Sequence, residues 1–231
     1  MTRLLVHVEG QTEEEFVNRV LRHHLVLAGY ASVSARIVGG ARSRNRRGGI
    51  KPWPSVRKDI LNHLVEDPSC VATTMVDYYA LPQSDSGAWP GRVKAKGSPH
   101  EKAHAIELAI LRDLTATFGP RFDPRRFVPF IVMHEFEGLL FSDCVALCRV
   151  IQCPSLAPQF QAIRDQFETP EEINDSSETA PSKRVAHLKP EYKKPLEGVN
   201  AALEIGLTKI RQECPHFNDW LTRLEQLARA T

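Results

Sequence analysis

Four carboxylates stand where an α/β sheet could deliver chemistry: Glu9, Asp77, Glu135 and Glu137. Each follows an apolar run. Residues 4–8 lead into Glu9, residues 70–76 into Asp77, and residues 127–133 into His134, Glu135 and Glu137. Short apolar runs bounded by turn signals predict buried strands. In an open α/β sheet, ligands bind beyond the carboxyl ends of the strands. Carboxylates gathered there repel one another unless a proton or a cation intervenes. Mg²⁺ and Mn²⁺ prefer such oxygen ligands. Two such ions about 4 Å apart can activate a water and stabilise the leaving oxygen of a phosphodiester. Many α/β folds carry acids at strand ends, so spacing alone leaves solvent-facing glutamates as the other reading.

The elements around these acids follow from pattern. Gly10 permits a sharp turn after Glu9. Thr12 is placed to cap the next helix, with Glu15 completing a capping box. Phe16, Val17, Val20, Leu21 and Leu25 recur at helical spacing and predict a helix over 13–28, stopped by Gly29. Residues 31–38 alternate like a strand. Helices are expected over 53–64, opened by Pro52 or Pro54, and over 103–118. From about residue 142 the pattern is helical. A polar, acidic hairpin or loop spans 158–179, with further helices over 196–214 and 217–230. The expected fold class is α/β: a mostly parallel sheet flanked by helices over 1–145. A mainly helical portion, 146–231, packs on it, either as an appendage or within one continuous domain.

The bulk numbers exclude some classes. The 231 residues are 42% hydrophobic and 25% charged, with a net charge of +2, so no global field announces a nucleic-acid partner. No run approaches the ~18 apolar residues of a membrane span, and no signal peptide is evident. The expected location is the cytoplasm. One local charge run stands out. Residues 39–49 hold Arg42, Arg44, Arg46 and Arg47 between glycines, which could hold the phosphates of DNA or RNA. A solvated loop is the plainer reading. Trp89 lies in the loop after Asp77 and could stack on a base or pack as a lid. The five cysteines lack zinc spacing. Cys144, Cys148 and Cys153 are therefore expected to be core thiols. His134 is a possible base or ligand, although a satisfied structural histidine is commoner at a strand end.

Val8-Glu9-Gly10-Gln11-Thr12-Glu13, with a later strand ending in Asp77, resembles the Toprim domain shared by topoisomerases, primases and overcoming-lysogenization-defect nucleases. Three further motifs are His134-Glu135-Phe136-Glu137-Gly138-Leu139-Leu140-Phe141, Ala180-Pro181-Ser182-Lys183-Arg184 and Cys214-Pro215-His216-Phe217. Together with the first, they are similar to DUF4276, a Toprim-like family of unknown function, over nearly the whole chain. The resemblance implies a Toprim-like fold and a Mg²⁺- or Mn²⁺-dependent nuclease-like site. It also implies an ATPase partner of the structural-maintenance or ABC type and a role in phage defence. Glu9 matches the Toprim glutamate and Asp77 the first acid of its Asp-x-Asp motif. Here Tyr79 replaces the second acid. Glu135, Glu137 or Asp85 would have to restore the charge. Lys183 and Arg184 are candidates to hold phosphate or transition-state charge. The expected function is hydrolysis of DNA or RNA phosphodiesters. A non-catalytic nucleic-acid- or partner-binding module is one alternative, and another phosphoryl-transfer enzyme is a second.

Overall fold

The computed structural model describes residues 2–38, 49–83, 85–173 and 179–230. Among these, five strands form a parallel sheet: β1 (Arg3–Val8), β2 (Ser32–Ile37), β3 (Cys70–Asp77), β4 (Phe127–Val128) and β5 (Ile131–Val132). The order is β2-β1-β3-β4, and β5 pairs with β3 beyond the end of β4. All of β3 is buried, as a central parallel strand covered on both faces must be. Val8 is level with Met75, so the chain leaves β1 for Glu9 beside the last residues of β3.

The expected strand over 127–133 is instead two short ones. Pro129 has no N–H to give the ladder. Threonine hydroxyls of β3 fill the gap. Thr73 donates to the Val128 carbonyl, and Thr74 Oγ1 accepts from Phe130 N–H at 2.9 Å and donates to its carbonyl at 3.0 Å.

The first helix also differs from its expected form. It begins two residues early as α1 (Gln11–Phe16), passes through a π-helical turn over Val17–Leu21 and continues as α2 (Arg22–Ala28). Gly10, extended at φ −150°, is the capping position, and Glu13 rather than Glu15 folds back, its Oε2 accepting from Gly10 N–H at 3.0 Å. Because the helix starts directly after the strand, Thr12 falls inside it and cannot cap.

Helices α3 (Trp53–Glu66) and α4 (Pro99–Phe118) cover one face of the sheet. Val56, Ile60, Ile106 and Ile110 meet Ala72, Val76 and Ile131 there. Trp89 belongs to this core. It is buried, its ring centroid lies 5.0 Å from that of Trp53, and its Nε1 donates to the Lys51 carbonyl at 3.0 Å. It is therefore a packing residue, and the base-stacking expectation is corrected.

The remaining helices are α5 (Cys144–Val150), α6 (Ala157–Arg164), α7 (Pro181–Leu188), α8 (Lys194–Ile205), α9 (Leu207–Glu213) and α10 (Pro215–Arg229). Gly206, at φ 82°, divides α8 from α9 where the pattern predicts one helix over 196–214. On this side Leu4, Val6 and Phe16 share a single core with Ala201, Phe217 and Leu224. The N-terminal sheet and the C-terminal helices are thus packed together. All five cysteines are free thiols, and Cys144 and Cys148 are buried in this core.

A carboxylate site at the carboxyl edge of the sheet

Glu9 and Asp77 meet because β1 and β3 are neighbours that end together. Asp77 N–H points at Glu9 Oε2, 3.4 Å away. The Asp77 side chain is itself buried, and its Oδ1 accepts from Phe136 N–H at 3.1 Å. The turn out of β5 makes that contact. His134 adopts φ 63° there, a conformation uncommon outside glycine. The strained turn swings Glu135 and Phe136 back towards β3. Glu137 follows in a 3-10 segment over Phe136–Ser142 and is fully buried. Glu13, one turn into α1, is buried beside them.

The electrostatics show how crowded these acids are. Burial, then repulsion from Glu13, pushes the Glu9 carboxyl up to about 7. Burial also pushes Glu137 up to about 7, against the pull of Lys194. Asp77 is raised well above the usual carboxylate range by burial and then by Glu13 and Glu9. Glu13 is raised by burial as well. Among the described residues, one cation enters the group. Lys194 Nζ stands 3.0 Å from Glu137 Oε2. Burial works against that ammonium, but the attraction of Glu137, Asp77 and Glu135 outweighs it and raises its pKa.

The structure therefore brings together Glu9, Asp77, Glu135 and Glu137. Glu135 also anchors a helix. Its Oε2 accepts from Ser182 N–H at 2.8 Å, in the first turn of α7. That contact accounts for the Ala180–Arg184 motif as a docking of α7 onto Glu135. Lys183 is exposed on α7. Arg184 is engaged elsewhere, its Nε donating to the Thr179 carbonyl at 2.8 Å with the guanidinium 5.5 Å from the Phe167 ring. Local packing thus engages this arginine through its Nε and its guanidinium plane. His134 is buried, with ring centroids 6.1 Å from Tyr78 and 5.9 Å from Tyr79. Arg42, Arg44, Arg46 and Arg47 lie outside the described residues.

The Cys214–Phe217 motif is likewise a helix cap. The Glu171 carboxylate accepts from His216 N–H and Phe217 N–H, each at 2.9 Å, at the start of α10. His216 Nε2 lies 2.9 Å from Glu107 Oε1, which also accepts from Ile131 N–H at 3.0 Å. Trp220 then stacks on Phe130 in the core, and Phe217 meets Phe130 edge-on.

Two members of the site escape a reading of the sequence. Glu13 reads there only as part of a helix start. Lys194 does carry a signal: a lysine at a helix N-terminus opposes the helix dipole and so calls for another reason to be there.

The acids suit a hard divalent cation in donor type and in charge. Their raised pKa values mean that bound protons as well as Lys194, 3.0 Å from Glu137 Oε2, relieve the crowding, and a cation could take the place of those protons. Among those residues, no three acid, histidine or cysteine side chains already close around one point as a finished metal site would.

No curated protein and no solved structure matches this sequence. One family profile does, a domain of unknown function, and it covers residues 8–225. That match contains every acid of the site, Lys194 and all four motifs, and it places the chain in the DUF4276 family.

Proposed function

We propose that the carboxylate site hydrolyses phosphodiester bonds of DNA or RNA in a Mg²⁺- or Mn²⁺-dependent reaction. The observation that carries this reading is the meeting of Glu9 and Asp77, from adjacent strand ends, with Glu13 and Glu137, all but Glu9 buried. Such a group is unfavourable without added positive charge. Glu9 and Asp77 would hold the ion, with Glu137 within the same group. The bound ion supplies Lewis-acid activation of a water and of the leaving oxygen. Asp77 orients Glu9 through its N–H and is itself oriented by Phe136 N–H. The arginines at 42, 44, 46 and 47 would hold the polynucleotide by its phosphates. A partner ATPase of the structural-maintenance or ABC type, a defence role and a cytoplasmic setting belong to the same proposal and rest on the Toprim resemblance. No helix of the described residues is long and apolar enough to cross a membrane.

A second reading is a binding module without chemistry. It is favoured by Tyr79 in place of the second acid and by an ammonium already within the acid group. One assay separates the two. Plasmid, single-stranded DNA and RNA are incubated with Mn²⁺, Mg²⁺ or EDTA, with and without the ATPase and ATP. Cleavage that EDTA stops and Glu9→Gln abolishes supports the nuclease. Binding with no cleavage under every condition supports the module.

A further inference from the structure

Arg92 is the one arginine or lysine buried among the described residues, at 8% exposure. Less buried arginines of this protein are matched. Arg211 meets the Glu225 carboxylate, Arg164 meets Glu213 and two carbonyls, and Arg126 meets three carbonyls. Arg92 meets a phenol. Its Nη1 donates to the Tyr78 hydroxyl at 2.8 Å, and its guanidinium carbon lies 3.7 Å from the centroid of the Tyr78 ring. Neither contact brings a negative charge. The Arg92 Nε is buried without a hydrogen-bond partner, and no carboxylate of the described residues pairs with the group. A buried charge with no counter-charge is costly. Nη1 is spent on Tyr78, which leaves the edge formed by Nε and Nη2. That edge is a fork able to meet two oxygens of a phosphate.

The chain builds this position. Gly91, at φ 77°, presses its turn onto α4, where a Cβ would stand 2.9 Å from that of Ala109 and 3.2 Å from the Ala105 carbonyl oxygen. Lys94 N–H and Ala95 N–H close on the Gly91 carbonyl at 3.0 and 2.9 Å. Arg92 is thereby held over Tyr78, the residue that follows Asp77 out of β3. The guanidinium stands at the carboxyl edge of the sheet, beside the acids. The Trp89 indole, bonded to the Lys51 carbonyl, ties two basic stretches together there. Residues 86–98 carry Arg92, Lys94 and Lys96, and residues 50–58 carry Lys51 and Lys58. Neither stretch holds an acid, so the surroundings favour an anion.

We propose that Arg92 is a phosphate receptor, its Nε and Nη2 edge taking two oxygens of a polynucleotide phosphate that flanks the carboxylate site. The inference rests on the polynucleotide reading above, and it needs no bound cation.

The test measures binding of labelled single-stranded DNA and RNA oligonucleotides to the full chain in EDTA, by fluorescence anisotropy over a range of salt. Arg92→Gln should weaken binding about tenfold or more. It should also lower the slope of log affinity against log salt by about 0.7, the share of one phosphate on a single strand. Arg92→Lys should keep the slope and bind between the two, because it retains the charge and loses the fork. Circular dichroism checks that the variants fold. A second measurement needs only wild type: the Arg92 Nε–H resonance, assigned by its loss in Arg92→Lys, should shift when oligonucleotide is added. Equal affinity and equal slope in wild type and folded Arg92→Gln overturn the inference and leave the hydrolase reading standing. So does an Nε–H signal unmoved at saturating oligonucleotide. A signal that moves with inorganic phosphate and not with oligonucleotide overturns the polynucleotide assignment in favour of a small phosphate ligand. Wild type that binds neither oligonucleotide overturns both this inference and the polynucleotide reading on which it rests.

Discussion

Glu9→Gln should make the cation-free protein more stable at neutral pH, and the gain should vanish in acid. The Glu9 carboxyl is raised from 4.5 to about 7 in the fold, chiefly by burial and then by Glu13. The folded state therefore keeps a proton that the unfolded chain has released. Across that interval the native state binds more protons, so stability falls as pH rises from about 4.5 through 7. Below the interval the residue is neutral in both states and the substitution is silent. Above it, the full elevation corresponds to ~3 kcal/mol. Solvent screening and the sharing of protons with Asp77 and Glu13 reduce that to roughly 1–2 kcal/mol. Glutamine keeps the size and an acceptor for Asp77 N–H, so the hydrogen bond at 3.4 Å need not be lost. The assay is urea unfolding and a thermal melt of both proteins in EDTA at pH 4.5, 6 and 8. The melting temperatures should differ by roughly 2–8 °C above the interval for a chain of this size. Adding Mn²⁺ should narrow that difference by stabilising wild type alone. A variant less stable than wild type above the interval, or a gain that ignores pH, would refute the claim that these acids strain one another.

Three further outcomes are expected. Replacing Arg42, Arg44, Arg46 and Arg47 by glutamine should lower the slope of log affinity against log salt by up to about 0.9 for each phosphate no longer neutralised, measured by filter binding or fluorescence anisotropy. The thermal melt should barely move, because residues 39–49 offer almost no apolar surface to bury. Glu171→Gln presents a donor to one of the two N–H groups at the start of α10, and should cost about 1–3 kcal/mol in urea unfolding. An unchanged midpoint would mean that the cap does not hold that helix. Gly198→Ala puts a methyl 2.7 Å from the Tyr192 hydroxyl. It should cost about 1–3 kcal/mol and displace Tyr192 from Glu137. A neutral result would mean that the tyrosine is free to move.

Much of this protein is legible in one dimension. Three apolar runs with acids at their ends mark the strand positions and bring Glu9 and Asp77 to one edge, because parallel neighbours that start together end together. The four motifs identify the family from the residues alone. Details that depend on one missing atom or one extra turn are less visible. Pro129 lacks an N–H and splits a strand, and Gly206 takes a positive φ and splits a helix.

Only the tertiary structure assigns partners. Sequence chemistry offers Lys183 and Arg184 as candidates to hold phosphate or transition-state charge. Packing leaves Lys183 exposed and gives Arg184 to the Thr179 carbonyl and the Phe167 ring. The site also receives Lys194, because α8 packs against α1 and the segment bearing Glu137. Local pattern specifies a residue's charge and the face it occupies. Which opposite charge it meets depends on the packing of segments far apart in the chain, and nothing in the spacing of either segment records it.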